Sequence, residues 1–129
     1  MQPARVLMVD DDVLYTRRTR LALGEMVELR VVQSRTEALA AADRWVPDLV
    51  VVDLFVGDSD AFRLLDGLRS RRPLSPLSVI YLTKGPGSST RFQNDGRTFL
   101  GVIQRESGID RLRDPLVAAT RPSGVAAAA

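Results

Sequence analysis

The chain has 129 residues, 45% of them hydrophobic and 26% charged, which fits one globular domain with a single core and is too short for two ordinary domains. It contains no cysteine and no histidine, so disulfides, thiol nucleophiles, zinc sites built on sulfur or imidazole, and histidine acid–base catalysis are excluded. The formal charge is only +2, and although all but one of the 18 basic residues are arginine, they lie scattered among acids, which reads as a solvated surface rather than a nucleic-acid-binding run.

Met1 to Arg5 leads straight into a short apolar strand, without the apolar region of a signal peptide or a membrane span, so a cytoplasmic protein is expected. That strand, Arg5-Val6-Leu7-Met8-Val9, breaks off at Asp10-Asp11-Asp12. A helix follows, with Tyr15, Thr19, Ala22, Leu23 and Met26 as its inner face and a competing stripe at Leu14, Arg18 and Leu21. Val27 to Gln33 alternates as a second strand, with Val31 and Val32 as its expected core residues. Ser34-Arg35-Thr36-Glu37 is a capping box opening an alanine-rich helix that runs to Trp45. Pro47 stops that helix and begins the central segment, Pro47-Asp48-Leu49-Val50-Val51-Val52-Asp53. Four consecutive apolar residues, three of them β-branched, predict a strand buried on both faces, as a parallel sheet covered by helices requires.

After Asp53 a polar turn runs to Asp60, which is expected to cap a helix with Phe62, Leu65 and Leu68/Arg69 inward; Arg71-Arg72-Pro73 closes it. Leu77 to Leu82 is a fourth strand ending at Thr83. Lys84 to Gly96 is rich in glycine, proline and serine, with room only for a short helix over Ser89 to Asn94. Thr98 to Ile103 is a fifth strand, followed by a helical spacing at Ile109, Leu112, Leu116 and Ala119 that Pro115 interrupts. The expected organisation is one domain over residues 1–121 and a tail or linker over 122–129. A strand followed by a helix, five times over, implies an α/β fold of the flavodoxin-like (βα)5 type, a doubly wound parallel sheet of order 2-1-3-4-5. Its switch point lies between strands 1 and 3 and brings Asp10 and Asp11 beside Asp53.

Three converging carboxylates repel, and a hard divalent cation such as Mg²⁺ removes the conflict. A carboxylate beside such an ion can attack a phosphoryl group and hold it as an acyl phosphate. The plainer role for Asp11 or Asp12 is to cap the first helix. Two further features fall at the same edge of the sheet: Thr83, whose hydroxyl can donate to a phosphate oxygen, and Lys84 directly after it, the only lysine of the chain.

Val9-Asp10-Asp11, Asp53-Leu54, Asp60 to Leu65 and Leu82-Thr83 resemble the receiver domain of two-component response regulators, a likeness that covers residues 5 to about 120. The resemblance implies that Asp10, Asp11, Asp53 and the backbone carbonyl of Phe55 bind Mg²⁺. It implies that Asp53 accepts a phosphoryl group from a histidine kinase or phosphotransfer protein, with no enzymatic activity beyond self-phosphorylation and autodephosphorylation. Thr83 and a lysine would bind the phosphoryl oxygens and shift the face made by helix 4, strand 5 and helix 5 toward a downstream protein or effector domain. That lysine is absent; counting from Asp53 puts its place at Arg105, whereas a gapped alignment through Gly96 puts it at Ile103 or Gln104. Lys84 is the alternative source of the cation. Two other functions compete: a pseudo-receiver that binds partners without phosphate, and a haloacid-dehalogenase-type phosphatase reading Asp10-Asp11-Asp12 as its acid pair.

Overall fold

In the computed structural model the chain is described over residues 3–53, 55–56, 59–71, 78–83, 98–104, 111–113 and 116. Among the described residues the five expected strands and the first three expected helices appear in the expected order. β1 is Arg5–Val9, α1 Val13–Leu23, β2 Glu28–Val32, α2 Arg35–Arg44 and β3 Leu49–Asp53. A short hairpin, β4 (Phe55–Val56) and β5 (Ser59–Asp60), precedes α3 (Ala61–Arg71), and β6 (Ser78–Thr83) and β7 (Thr98–Gln104) follow. The main sheet has five strands in the order β2-β1-β3-β6-β7, all paired in parallel. With the hairpin set aside this is the order 2-1-3-4-5.

β3 is central for a physical reason. Every one of its five residues is buried, which only a strand flanked on both edges and covered on both faces allows. Alternation then sorts the chain into two cores. Leu7, Val9, Val50, Val52, Val79 and Tyr81 face α2 and α3, which contribute Ala38, Ala42, Ala61, Leu64, Leu65 and Leu68. Val6, Met8, Leu49, Val51, Ile80 and Leu82 face Tyr15 and Leu23 of α1, together with Leu112 and Leu116. Gly67 leaves room where α3 meets α2: a Cβ there would lie 3.0 Å from Leu39 Cδ2.

Several expectations need correction. α1 buries Tyr15, Thr16, Thr19 and Leu23, while Leu14 and Leu21 are exposed, so the first of the two stripes is the inner one. Met26 does not belong to it, because the helix ends at Leu23 and helical spacing no longer applies three residues later; Met26 is exposed. In β2 the buried residue is Leu29, with Val27 just ahead of the strand, while Val31 and Val32 are only half-buried. β2 is an edge strand, and the covering layer thins there. The capping box forms with one shift: Glu37 N–H donates to Ser34 Oγ at 3.1 Å, but the Glu37 carboxylate accepts from Gln33 N–H rather than that of Ser34. On α3 the buried side chains are Ala61, Leu64, Leu65 and Leu68, and Arg69 is exposed. Phe55–Val56 and Ser59–Asp60 pair as a hairpin where a polar turn is expected, and Asp60 still stands directly before α3, the position expected of its cap.

The short helix over Ser89–Asn94, the region around Pro115 and the tail from residue 122 lie outside the described residues, as does the side chain of Phe62. Among the described residues β2 pairs only with β1, and its outer side carries one contact from α1, Arg20 Nη1 donating to the Leu29 carbonyl at 3.4 Å.

These burials set an expected contrast. Leu64→Ala, at a fully buried site on α3, should cost about 2–5 kcal/mol of unfolding free energy, whereas Leu21→Ala, 82% exposed on α1, should stay within about 0.5 kcal/mol of wild type. Urea titrations followed by far-UV circular dichroism measure both.

Candidate functional site

The three consecutive aspartates after β1 take three different positions. The Asp10 amide donates to the Val32 carbonyl at 2.9 Å, extending the strand by one residue. Its own carboxylate accepts from the Asp12 amide at 2.9 Å, a local turn that diverts the chain out of the sheet. The Asp12 carboxylate accepts from the Tyr15 amide at 3.0 Å and caps α1. The capping role open to Asp11 or Asp12 therefore belongs to Asp12. Asp11 is left exposed at the mouth, while Asp10 is buried to 1% relative exposure.

Asp53 closes β3 and is also buried, at 3%. Val9 is in register with Val52, so Asp10 and Asp53 leave adjacent strands at the same level. Alternation settles the side. Asp53 follows Leu49 and Val51, and Asp10 follows Val6 and Met8, so both continue the face that packs on α1. Carboxylate oxygens of Asp10, Asp11 and Asp53 accordingly lie within 4.8 Å of one another. This is an all-oxygen anionic donor set with one solvent-facing member, and it fits a hard divalent cation such as Mg²⁺.

Thr83 ends β6 at the same edge of the sheet and is buried, at 4%. The register partner of Asp53 is Leu82, so Thr83 stands one residue further on. Across β7 an irregularity between Val79 and Ile80 admits Leu100 as an additional residue, after which pairing resumes and Thr83 is matched to Gln104. Of the positions proposed for the missing lysine, Gln104 is thus the one aligned with Thr83, and Ile103 is aligned with Leu82. Phe55 lies two residues past Asp53, in β4, paired with Asp60. Lys84 and Arg105 lie outside the described residues. Sequence spacing could not have found the pairing of Thr83 with Gln104, because the additional residue in β7 breaks any count.

No family model matches the chain. Two curated proteins of Mycobacterium tuberculosis do align with it. The transcriptional regulatory protein TrcR is 33% identical over 82 residues, 63% of this chain and 31% of that protein. The probable transcriptional regulatory protein TcrX is 34% identical over 80 residues, 61% and 34% respectively. The alignments span about a third of the length of these curated relatives. Among solved structures, the chemotaxis response regulator CheY4 of Vibrio cholerae superposes with a TM-score of 0.76 at 20% identity, covering 92% of this chain and 99% of that one. This is the CheY-like receiver fold.

In this receiver fold the C-terminal edge of the sheet carries Asp10, Asp53 and Thr83, the residues on which the sequence resemblance rested. Among the described residues no helix is long and apolar enough to cross a membrane. The separation of tasks among the aspartates can be measured. Asp12→Ala should destabilise the fold by about 0.5–2 kcal/mol through loss of the cap, while leaving Mg²⁺ affinity within a factor of about two of wild type. Asp11→Asn should do the reverse, and paired urea and Mg²⁺ titrations of the two variants distinguish them.

Proposed function

We propose that this chain is a phosphoacceptor receiver domain of a two-component system, with Asp53 as the residue that takes the phosphoryl group. The observation that carries this reading is the convergence of the Asp10, Asp11 and Asp53 carboxylates within 4.8 Å, on a receiver fold. The Asp53 carboxylate oxygen forms a bond to phosphorus while the bond to the donor breaks, and its electron pair leaves with the donor's imidazole or carboxylate. The product is an acyl phosphate. When bound, Mg²⁺ supplies positive charge that offsets the repulsion between the carboxylates and the incoming phosphoryl group. Asp10, Asp11 and Asp53, with the backbone carbonyl of Phe55, would hold the ion. Thr83 would donate its hydroxyl to a phosphoryl oxygen.

The donor in this reading is a histidine kinase or phosphotransfer protein, and the output passes through the face around β7 to a downstream protein or effector domain. The setting is the cytoplasm. Lys84 and Arg105 are the candidate sources of the cation, and Lys84→Ala is expected to change the rate of dephosphorylation, read by the decay of the phosphorylated species.

A second reading, a pseudo-receiver that binds partners without phosphate, is favoured by one observation. The residue matched to Thr83 on β7 is Gln104, a neutral amide where the resemblance calls for an ammonium. Incubation with acetyl phosphate and Mg²⁺ followed by intact mass separates the two. A single added phosphoryl group, lost in Asp53→Asn, supports the first; an unmodified wild-type chain supports the second.

The metal requirement gives an independent expectation. A ligand that binds only the folded state at ten times its Kd stabilises by about 1.4 kcal/mol, so saturating Mg²⁺ should raise the Tm of wild type measurably. The rise should vanish in a variant carrying both Asp11→Asn and Asp53→Asn. A rise of wild-type size in that variant overturns the assignment of the metal site.

A further inference from the structure

At the other end of the strands the chain has a second group of ordered charges. Trp45, the only tryptophan, is buried to 4% relative exposure where α2 ends. Its indole N–H donates to Glu28 Oε1 at 3.2 Å, which fixes the ring. Two guanidinium groups lie against that ring, Arg30 at 4.8 Å and Arg5 at 5.7 Å from its centroid. Arg5 is also paired with Glu28 at 3.8 Å. Glu28 and Arg5 begin β2 and β1, about 16 Å of strand before Asp10, and Arg30, in register with Leu7, stands about 10 Å of strand before it, so the cluster and the acidic site lie at different levels of the sheet.

Beside Arg30 lies a cavity of about 420 Å³, between the edge strand β2 and the C-terminal half of α2. Ala40 and Ala41 leave it open, and Arg30, Arg44 and Asp43 supply its charges. An exposed arginine ordinarily loses much side-chain freedom when it binds an anion, and that loss weakens binding. Arg30 has already lost part of that freedom, because its guanidinium rests on a ring that is itself held by Glu28. Arg44, from the last turn of α2, adds a second planar fork to the same cavity. Asp43 and the carbonyl end of α2 oppose an anion, which sets a weak affinity rather than none.

We propose that this cavity is an anion-binding site, in which Arg30 and Arg44 take a phosphate or carboxylate group and Trp45 is the platform that orders Arg30. The site is separate from the acidic cluster and does not depend on the phosphoacceptor reading.

Trp45 makes the test direct, since all tryptophan emission comes from the ring beneath Arg30. The full chain is titrated with sodium phosphate and, separately, with sodium succinate, each against sodium chloride at matched ionic strength. The expected result is a saturable change in emission with a midpoint of about 1–10 mM, an affinity of about −3 to −4 kcal/mol. Saturation by phosphate alone or by succinate alone assigns the group. The response should be lost in Arg30→Met and in Arg44→Met, weakened about threefold or more in Arg30→Lys, and kept in Asp53→Asn. A change equal to that of chloride, or an unaltered saturable response in both methionine variants, overturns the proposal. Circular dichroism of each variant checks that its fold is retained, and Arg30→Lys keeps the test decisive if a methionine variant fails to fold.

Discussion

Burial of β3 between two helical layers is the constraint on which the rest of the structure depends. A strand with Val50, Val51 and Val52 all removed from water has no polar face to turn outward, so it needs a neighbour on each edge and a layer on each side. Its partners β1 and β6 are fixed in register by the same burial, since slipping either strand by one residue would carry each of its side chains to the wrong core. The geometry of the acidic site follows from that. Asp10 and Asp53 share a level because Val9 and Val52 do, and they share a side because each stands an even number of residues beyond its core partners on the α1 face. The site is a boundary condition of the core rather than an addition to it.

Much of this was legible in the chain itself, for reasons that differ from element to element. β3 could be read because an unbroken β-branched run has few other homes. α2 could be read because Ser34 and Glu37 form a local device that needs no tertiary context, although the Glu37 carboxylate chose the Gln33 amide. The inner face of α1 was ambiguous in sequence, since Leu14 and Leu21 are as apolar as Leu23; only docking against β1 and β3 selects among them. β2 was misjudged for a related reason. Val31 and Val32 look like core, but in this edge strand the covering layer is deepest at Val27 and Leu29, which join the α1-side core, and thins toward Val32. The two-residue strands of the hairpin are too short for any periodicity to reveal.

At the site, the position of Asp53 and the pair Asp10 and Asp11 was readable because chain order fixed the topology. The assignment of Asp12 as the cap was not, because three identical residues in a row give no local means of telling them apart. Each is set by where the chain turns: Asp10 still belongs to the ladder, Asp12 already belongs to the helix, and Asp11 lies between them. The match of Thr83 with Gln104 was hidden by a different cause, an irregularity in pairing that changes the count without changing the composition. Backbone hydrogen bonding, not side-chain character, decides such cases.

The contact from Arg20 to the Leu29 carbonyl bears on how copies of this chain behave together. In a parallel ladder alternate residues turn their backbone groups outward, and on β2, where the Glu28 amide reaches inward to Ala4, Leu29 is one of the outward ones. An arginine laid on that carbonyl occupies the place where a neighbouring molecule's strand would dock, and it brings a positive charge that two approaching copies would both carry. Growth of the sheet from molecule to molecule would have to displace it first. Helix α1, which borders the acidic site at one end, thus also lays a positive charge along the open edge of the sheet.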